Sequence, residues 1–380
     1  MKIELNTRIK NSKISEIRSF NDYAKSVGVD TILTLGEPNF QTPKEIIDTC
    51  INSLTNNETK YGPTYGLLSL RKKIAQFETN NGFSCSPEEI IITHGSTEAL
   101  AVSLYTMINP GDEIIIPMPT FPLYRQLVET AGGVVIPLDT SCDNFQITYE
   151  KIKNSISKRT KAIIITSPNN PTGTCLNDES YNNIYNCIKD KPIYVICDEV
   201  YNQITYDNIG QGFTRFKDMR DQTIICQSYS KSYAMPGWRC GYMIASKSFI
   251  DEAMKFHQFM ITALNTFIQP AMIKALDYDN SHMVLEYRKR RDYIYTRLVD
   301  MGLEVIKPNG AFYIFPSIKK YGISSLEFCS KFAKEQKVAI IPGSFFEAEG
   351  FVRISYCVDF NTIITACDRL EKFIKTLKKN

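Results

Sequence analysis

The sequence predicts an α/β protein in which a mostly parallel sheet is sandwiched by helices, with a smaller α+β unit beside it. Up to about residue 245, short apolar runs of strand length alternate with stretches of helical period. Such alternation is typical of parallel strands joined by crossover helices that cover both faces of the sheet. From about residue 248 to 300 the pattern is helical, and short strand-like runs return after residue 303. A second, smaller unit therefore follows the large one.

The predicted elements divide the chain into two domains. The first group of strands is predicted at 31–35, 90–93, 114–116, 134–138, 161–166, 193–197, 223–227 and 241–245. Helices are predicted between most of them, at about 45–57, 66–80, 96–108, 121–132, 148–158 and 177–190. The later elements are strands at 303–306, 311–315, 338–341 and 351–356, and helices near 281–302, 324–336 and 361–378. Because 380 residues can bury two cores, we predict a large domain over residues 40–285 and a small domain made of residues 1–39 and 286–380.

Composition excludes several classes of protein. The formal net charge of +3 is too small to favour nucleic acid or an acidic membrane surface as a partner. No apolar run approaches the roughly 18 residues of a membrane helix, and the N-terminal stretch lacks the apolar segment of a signal peptide. The 11 cysteines include no C-x-x-C pair and the 3 histidines lie far apart, which argues against a disulfide framework and a metal site. We therefore expect a cytoplasmic protein that holds no metal and binds neither nucleic acid nor membrane.

The stretch 228–239, S-Y-S-K-S-Y-A-M-P-G-W-R, carries the residues on which the functional prediction depends. It lies between two predicted strands, at the edge of a core. The amine of Lys231 becomes a nucleophile only when it is desolvated or set near other cations. The hydroxyls of Ser228 and Ser230, with the guanidinium of Arg239, suit a phosphate. An amine beside a phosphate cup is typical of a pyridoxal phosphate site, although the stretch by itself fits a solvated Ser/Lys loop equally well.

Other polar loops follow predicted strands, at the position where open α/β sheets bind ligands. The run H-G-S-T-E-A-L begins a helix with Ser96 and Thr97, which suits a phosphate or an ordinary helix cap. The run P-M-P-T-F-P-L-Y contains Phe121, an aromatic side chain for the core or for stacking on a pyridine ring. In S-P-N-N-P-T-G, Asn170 is either an ordinary turn residue or a residue whose amide donates to a phenolate oxygen and orients a substrate carboxylate.

Three further motifs contain two charged candidate residues and a glycine at which the backbone could lie close to a ligand. In D-E-V-Y, Asp198 is either a helix cap or the carboxylate that keeps a pyridine nitrogen protonated, and Tyr201 can bind a phenolic oxygen. In F-V-R-I-S-Y, Arg353 is either an exposed strand residue or a bidentate clamp for a carboxylate. In G-E-P-N-F, Gly36 would let the backbone approach a substrate closely.

Together these motifs resemble the class I and II aminotransferases, the fold type I pyridoxal phosphate enzymes, over roughly residues 15–370. The most specific matches are S-x-S-K-x-x-x-M-x-G-W-R-x-G and N-P-T-G. The resemblance implies that Lys231 holds pyridoxal 5′-phosphate as a Schiff base and moves protons while an amino group passes from an L-amino acid to a 2-oxo acid. It implies cofactor contacts from Ser96, Thr97, Phe121, Asn170, Asp198, Tyr201, Ser228, Ser230 and Arg239, and substrate contacts from Gly36, Phe121, Asn170 and Arg353.

The resemblance also bears on assembly and substrate. The run Y-G-P-T-Y-G-L-L-S-L-R, which begins at Tyr61, is similar to a segment that touches the phosphate of the neighbouring subunit, which implies a homodimer with shared active sites. Stretches such as K-P-N-G-A-F-Y-I-F-P-S-I-K resemble enzymes that act on N-acetyl-L,L-diaminopimelate, with 2-oxoglutarate, in lysine and cell-wall biosynthesis. Aromatic and aspartate aminotransferases share parts of them, and a C–S lyase of the cystathionine β-lyase type has the same cofactor residues. Arg18 is a candidate ligand for a distal substrate carboxylate or an ordinary surface residue.

Overall fold

A computed structural model describes residues 3–207 and 212–377 of the chain. Its helices are α1 (Thr7–Asn11), α2 (Glu16–Ser26), α3 (Lys44–Thr55), α4 (Leu68–Asn80), α5 (Ser96–Met107), α6 (Leu123–Ala131), α7 (Tyr149–Ser155), α8 (Asp178–Ile188), α9 (Lys247–Ile261), α10 (Gln269–Ala275), α11 (Ser281–Asp300), α12 (Ser325–Gln336) and α13 (Phe360–Thr376). Its strands are β1 (Thr31–Ile32), β2 (Ile90–Thr93), β3 (Glu113–Met118), β4 (Val134–Asp139), β5 (Thr160–Thr166), β6 (Tyr194–Asp198), β7 (Thr223–Ser228), β8 (Gly241–Ile244), β9 (Tyr313–Ile314), β10 (Val338–Ala339), β11 (Ile341–Pro342) and β12 (Val352–Ser355). From β2 to β6, strands and helices alternate as the sequence predicts.

Seven of these strands form the large sheet in the part of the chain that the structure describes, in the order β2-β8-β7-β6-β5-β3-β4. Strand β8 runs antiparallel to both of its neighbours, and the other neighbouring pairs are parallel. The predicted α/β architecture with a mostly parallel sheet is therefore confirmed.

Helices cover both faces of this sheet, which explains why its strands are continuous apolar runs. Successive residues of a strand point to opposite faces. On β3, Ile114 belongs to the same core cluster as Leu100 of α5 and Phe249 of α9. The next residue, Ile115, belongs to the cluster on the other face with Ile184 of α8. Because both faces of the sheet are buried, an alternation of apolar and polar residues is not needed.

The C-terminal part of the chain forms a smaller α+β unit that includes the N-terminal strand. Strand β1 pairs in parallel with β10, with Thr31 opposite Val338. Strands β11, β12 and β9 form an antiparallel sheet. Helix α13 packs against α11 and α12. This pairing joins the N-terminal segment to the C-terminal unit, while the boundaries at residues 40 and 285 stay a prediction.

One predicted strand is wrong. The run 303–306 forms no strand, and its backbone carbonyl at Glu304 accepts a single hydrogen bond of 2.8 Å from the amide of Ser317. Leu303 lies in the loop after α11, which ends at Asp300, and belongs to the core cluster of the smaller unit. The apolar character of this run therefore reflects packing against that core and not strand pairing.

Candidate active site

A cavity of about 330 Å³ opens at the carboxyl ends of the parallel strands. Loops that follow β2, β3, β5, β6 and β7 line it, and β12 contributes a side chain from the smaller unit. With the exception of Tyr61, the residues predicted for the site all line this cavity, namely Gly36, Ser96, Thr97, Phe121, Asn170, Asp198, Tyr201, Ser228, Ser230, Lys231, Arg239 and Arg353. The fold therefore brings together segments that are far apart in the sequence.

Lys231 lies in the loop directly after β7, and its amine points to the loop that contains Gly36. Nζ donates a hydrogen bond of 2.5 Å to the backbone oxygen of Gly36. Burial is the largest cause that lowers the pKa of Lys231 to about 8, and the nearby positive charges of Arg239 and Arg353 contribute to this lowering. Such a pKa supplies a sizeable fraction of free amine near neutral pH, which a carbonyl-binding lysine requires.

One end of the cavity is suited to an anion. Ser96 and Thr97 form the first turn of α5, where backbone N–H groups have no helical acceptor. Gly95 precedes them with a φ of +76°, and a Cβ atom there would lie 3.0 Å from Nη2 of Arg239. The glycine is therefore needed both for its left-handed backbone and for the close approach of the guanidinium. Helix N–H groups and a guanidinium at one place suit a phosphate.

The loop that follows β7 adds hydroxyls to the wall of this cavity. Ser228 Oγ donates to Ser230 Oγ at 2.8 Å, and the amide of Ser230 donates to Ser228 Oγ at 3.1 Å. Both serines are buried. Their mutual hydrogen bonds fix the turn that carries Lys231, and each hydroxyl oxygen has further hydrogen-bonding capacity.

Asp198, at the end of β6, presents an unpaired buried oxygen. Tyr124 Oη donates a hydrogen bond of 2.6 Å to its Oδ2. Its Oδ1 is buried and has no hydrogen-bond partner among the residues that the structure describes. Burial raises the pKa of Asp198 to about 6, and the hydrogen bond from Tyr124 opposes that rise. A buried acceptor without a donor is costly, so this oxygen is suited to a donor that a bound group would bring.

Arg353 of β12 is almost completely buried and lies opposite Asn170. Its Nη1 donates to Oδ1 of Asn170 at 2.8 Å, and its Nη2 donates to the backbone oxygen of Thr34 at 2.5 Å. Its Nε has no hydrogen-bond partner within residues 3–207 and 212–377. The guanidinium also lies over the ring of Tyr313, 4.7 Å from the ring centre. Arg353 lines the cavity, and a buried cation with an unpaired donor suits a carboxylate.

The remaining aromatic side chains close the wall of the cavity. Tyr201 Oη and Tyr313 Oη are 2.8 Å apart. The ring of Phe121 is partly buried and meets Tyr124 edge-on, with the ring centres 6.3 Å apart. At Gly36, a Cβ atom would lie only 2.0 Å from Tyr313 Oη. The absence of a side chain at this glycine therefore makes room for Tyr313.

Sequence reasoning missed two tyrosines of the site. Tyr124 follows Phe121 by three residues, and this spacing, near one helical turn, was the signal that both side chains face the same region. Tyr313 lies in a run that predicts an ordinary strand, so its sequence gives no such signal. Arg18, for which the sequence allows either a ligand role or a surface position, is exposed and lines the cavity with other residues of the α2 region.

Tyr61 does not line the cavity of its own chain. Its side chain is 91% exposed, although the residues around it are tied to the core. Among the described residues, no group of three or more His, Cys, Asp or Glu side chains could hold a metal ion. No helix in the same part of the chain is long and apolar enough to cross a membrane.

The lining residues fit pyridoxal 5′-phosphate. The helix start and Arg239 suit its phosphate, the amine of Lys231 suits its aldehyde, and the free Oδ1 of Asp198 suits the N–H of a protonated pyridine ring. The lining thus offers a suitable partner to the phosphate, the aldehyde and the ring nitrogen of the cofactor.

Comparisons with known proteins agree with this fit. The family model described as aminotransferase class I and II matches residues 30–370. The chain is 36% identical to the probable N-acetyl-LL-diaminopimelate aminotransferase of Bacillus subtilis, over 99% of this chain and 96% of that protein. It is 36% identical to aromatic-amino-acid aminotransferase 2 of Thermococcus litoralis, over 98% of this chain and 99% of that protein. The crystal structure of aspartate aminotransferase from Thermotoga maritima matches with a TM-score of 0.94 at 32% identity, over 98% of this chain and 100% of that chain.

Proposed function

The chain belongs to the class I and II aminotransferases, a pyridoxal-phosphate-dependent family, and we propose that Lys231 is the residue that holds its cofactor and moves the proton during amino transfer. The observation that carries this proposal is that Lys231 and the unpaired Oδ1 of Asp198 line one cavity. A nucleophilic amine and a carboxylate for the ring nitrogen are the two groups that this chemistry needs.

When bound, pyridoxal phosphate supplies an electron-accepting ring that makes the Cα–H bond of an amino acid acidic. Asp198 keeps its charge next to the ring nitrogen and so favours the protonated ring. Arg353 binds the α-carboxylate of the substrate through its guanidinium, and Asn170 orients that guanidinium. Lys231, with its lowered pKa, would take the proton from Cα as a general base and, as a general acid, would deliver it to the cofactor carbon that carries the aldehyde in the free cofactor.

The proposal includes a homodimer in which Tyr61 contributes to the site of the partner. Its support is that Tyr61 is 91% exposed and does not line the cavity of its own chain. Hybrid dimers of a Lys231→Ala chain and a Tyr61→Phe chain test this arrangement, because one of the two sites would then have an intact Lys231 and an intact Tyr61. We expect mixed chains to recover activity that neither variant has alone, and no recovery would contradict shared sites.

For the substrate, we propose N-acetyl-L,L-diaminopimelate as the first candidate donor and 2-oxoglutarate as acceptor, with aromatic amino acids and aspartate as the alternatives. The support is the names of relatives that match nearly the whole chain at 36% identity. The proposal also includes a cytoplasmic location, supported by the 11 free cysteines, most of which are buried.

The test of the function combines a lysine variant with a donor panel. Lys231→Ala should lose both the covalently bound visible chromophore and turnover, while Lys158→Ala, at an exposed lysine, should keep both. In the panel, conversion of the cofactor to its amine form is followed after addition of each candidate donor to the wild-type protein. Wild-type rates in Lys231→Ala would refute the assignment. Release of pyruvate and thiol from cystathionine without any 2-oxo acid would instead identify a C–S lyase.

A further inference from the structure

Behind the anion-binding end of the cavity, a buried histidine contacts two oxygen acceptors. His257 of α9 has 0% of its surface exposed. Its Nδ1 lies 2.7 Å from Oε1 of Glu98, and its Nε2 lies 3.1 Å from the backbone oxygen of Thr64. The second carboxylate oxygen of Glu98 accepts a hydrogen bond of 2.6 Å from the amide of His94 and lies 3.1 Å from Nδ1 of that residue.

These contacts determine the charges of the pair. Burial raises the pKa of the Glu98 carboxyl, but the hydrogen bonds from His257 and His94 outweigh burial and hold that pKa at about 2. A carboxylate and a backbone carbonyl can only accept hydrogen bonds. Each ring nitrogen of His257 must therefore carry a hydrogen to make both contacts, so the ring is a buried imidazolium paired with Glu98.

The position of Glu98 gives this pair a consequence for anion binding. Glu98 lies in the first turn of α5, next to Thr97. The N-terminus of a helix favours an anion, but a negative charge already buried there repels an incoming phosphate, and solvent screens that repulsion only weakly. The charge of His257 cancels that of Glu98. The positive potential of the helix start and of Arg239 then remains available to the phosphate.

The other contact of His257 fixes the segment 60–67. Thr266 Oγ1 donates a hydrogen bond of 2.7 Å to the backbone oxygen of Lys60, at the start of this segment. At its end, the amide of Leu67 donates a hydrogen bond of 2.7 Å to Gln269 Oε1. Near its middle, the carbonyl of Thr64 contacts His257. The segment is thus attached to the core at these three points and at the carbonyl of Tyr65, which accepts a hydrogen bond of 3.1 Å from the amide of Ile92. The side chain of Tyr61 within it remains exposed.

We infer that His257 is a positioning residue that neutralises Glu98 behind the phosphate-binding end and at the same time anchors the segment that presents Tyr61. One buried cation then supports the phosphate end of its own chain and, through Tyr61, that of the partner. This inference rests on the proposed function, since it takes the bound anion to be the phosphate of the cofactor.

The test compares His257→Gln, Glu98→Gln and the double variant, with His282→Gln as a matched control at an exposed histidine. Affinities of the apoprotein for pyridoxal phosphate and for inorganic phosphate are measured by fluorescence titration. His257→Gln leaves Glu98 uncompensated and should weaken both affinities by roughly 10- to 100-fold. The double variant removes both charges and should recover most of this loss, whereas the control should bind as the wild type does.

Hydrogen exchange separates the two roles of His257. Amides of the segment 60–67 should lose protection in His257→Gln and also in the double variant, because the anchor to Thr64 is absent in both. Recovery of phosphate affinity without recovery of protection is the expected pattern. A double variant that binds phosphate as weakly as His257→Gln would overturn the charge-compensation role, and unchanged protection in both variants would overturn the anchoring role.

A measurement on the wild-type protein keeps the inference testable if His257→Gln does not fold. The chain has 3 histidines, so ¹⁵N labelling of their rings gives few signals. Both ring nitrogens of His257 should give the shifts of hydrogen-bearing nitrogens, as its contacts with Glu98 and Thr64 require, and a ring nitrogen without a hydrogen would overturn the inference. A wild-type protein that binds no pyridoxal phosphate would refute the proposed function. Normal wild-type binding with equal binding by His257→Gln would overturn this inference alone.

Discussion

Tyr124 Oη donates a hydrogen bond of 2.6 Å to Oδ2 of Asp198, whereas Oδ1 of the same carboxylate has no hydrogen-bond partner in the part of the chain that the structure describes. The tyrosine thereby decides which oxygen is available to the bound cofactor. It also stabilises the ionised form of a carboxyl group whose burial favours the neutral form. Tyr124 is therefore a positioning residue for the charge that the ring nitrogen requires.

As pH falls, the affinity for pyridoxal phosphate should begin to decline at a higher pH in Tyr124→Phe than in the wild type. Burial raises the pKa of Asp198 to about 6, and the lost hydrogen bond would no longer oppose that rise. A hydrogen bond to a charged group contributes about 1.5–3 kcal/mol, which corresponds to roughly one to two pH units. Affinity for pyridoxal phosphate, titrated on the apoprotein from pH 5 to 8, should therefore decline at a higher pH in Tyr124→Phe.

The matched control for this variant is Tyr105→Phe, which removes a hydroxyl from a tyrosine that is 40% exposed. The pH at which its affinity for pyridoxal phosphate declines should be that of the wild type. If Tyr124→Phe and the control lose affinity at the same pH, Tyr124 has no influence on the charge of Asp198.

The site residues that could be predicted are those whose role follows from a motif in the neighbouring sequence. Lys231, Asp198 and Arg353 each follow or lie within a short apolar run, and each belongs to a motif with a specific spacing. Because the carboxyl ends of parallel strands meet at one edge, strand prediction alone brings Lys231 and Asp198 together. These positions needed no knowledge of side-chain packing.

The rest depended on contacts that no local pattern contains. His257 and Glu98 meet across 159 positions of the chain, and His257 looks like any other residue of an apolar helix face. Tyr313 lies in a run that predicts an ordinary strand, and it fits beside residue 36 only because that residue is a glycine. The failed strand at 303–306 has the same origin, since an apolar run does not distinguish packing from strand pairing.

Arg353→Lys should weaken substrate binding much more than cofactor binding. Lysine keeps the charge but loses the planar fork that can bind a carboxylate and Asn170 together. We expect KM for the amino donor to rise by roughly 100-fold, because about 3 kcal/mol of charge-assisted hydrogen bonding would be lost. Steady-state kinetics give KM, and titration of the apoprotein gives the affinity for pyridoxal phosphate, which should change little.

A matched control for this change is Arg288→Lys, at an exposed arginine of α11. It should leave KM unchanged. An unchanged KM in Arg353→Lys would show that the α-carboxylate binds elsewhere.

Gly36→Ala should reduce activity by displacing Tyr313. The new Cβ atom would lie 2.0 Å from Tyr313 Oη, so the tyrosine or the loop must move. Either movement disturbs the 2.8 Å contact of Tyr313 with Tyr201 or the carbonyl that accepts from Lys231. A displacement of about 1 Å at an active site can cost roughly 100-fold in rate, and we expect a loss of that order in kcat/KM.

Gly237→Ala is the control for Gly36→Ala, because no atom lies within 4 Å of a Cβ at that position. It should retain wild-type kinetics. The double variant Gly36→Ala with Tyr313→Phe removes the clashing oxygen and should be more active than Gly36→Ala. A double variant with lower activity would indicate that the clash is not the cause.

Glu78 of α4 should make the apoprotein less stable as pH rises. Its side chain is buried and accepts a hydrogen bond from Tyr242. Burial raises the pKa of Glu78 from 4.5 to about 7, against the opposing hydrogen bond. Between these two values the folded chain holds a proton that the unfolded chain releases, so the free energy of unfolding falls with pH. Glu78→Gln removes this dependence, which amounts to roughly 2–3 kcal/mol.

Urea unfolding of the apoprotein at pH 5 and pH 8 measures the effect. The free energy of unfolding of Glu78→Gln, minus that of the wild type, should be larger at pH 8 than at pH 5. For Glu58→Gln, at an exposed glutamate, this difference should be the same at both pH values. Glu199, whose pKa burial and then the charge of Glu78 raise to about 8, keeps part of the same dependence in both proteins. Comparison of variant with wild type therefore reports the ionisation of Glu78 together with the part of the Glu199 shift that the charge of Glu78 causes, and both changes weaken the pH dependence. An equal pH dependence in the two proteins would mean that this buried carboxyl ionises freely in the folded state.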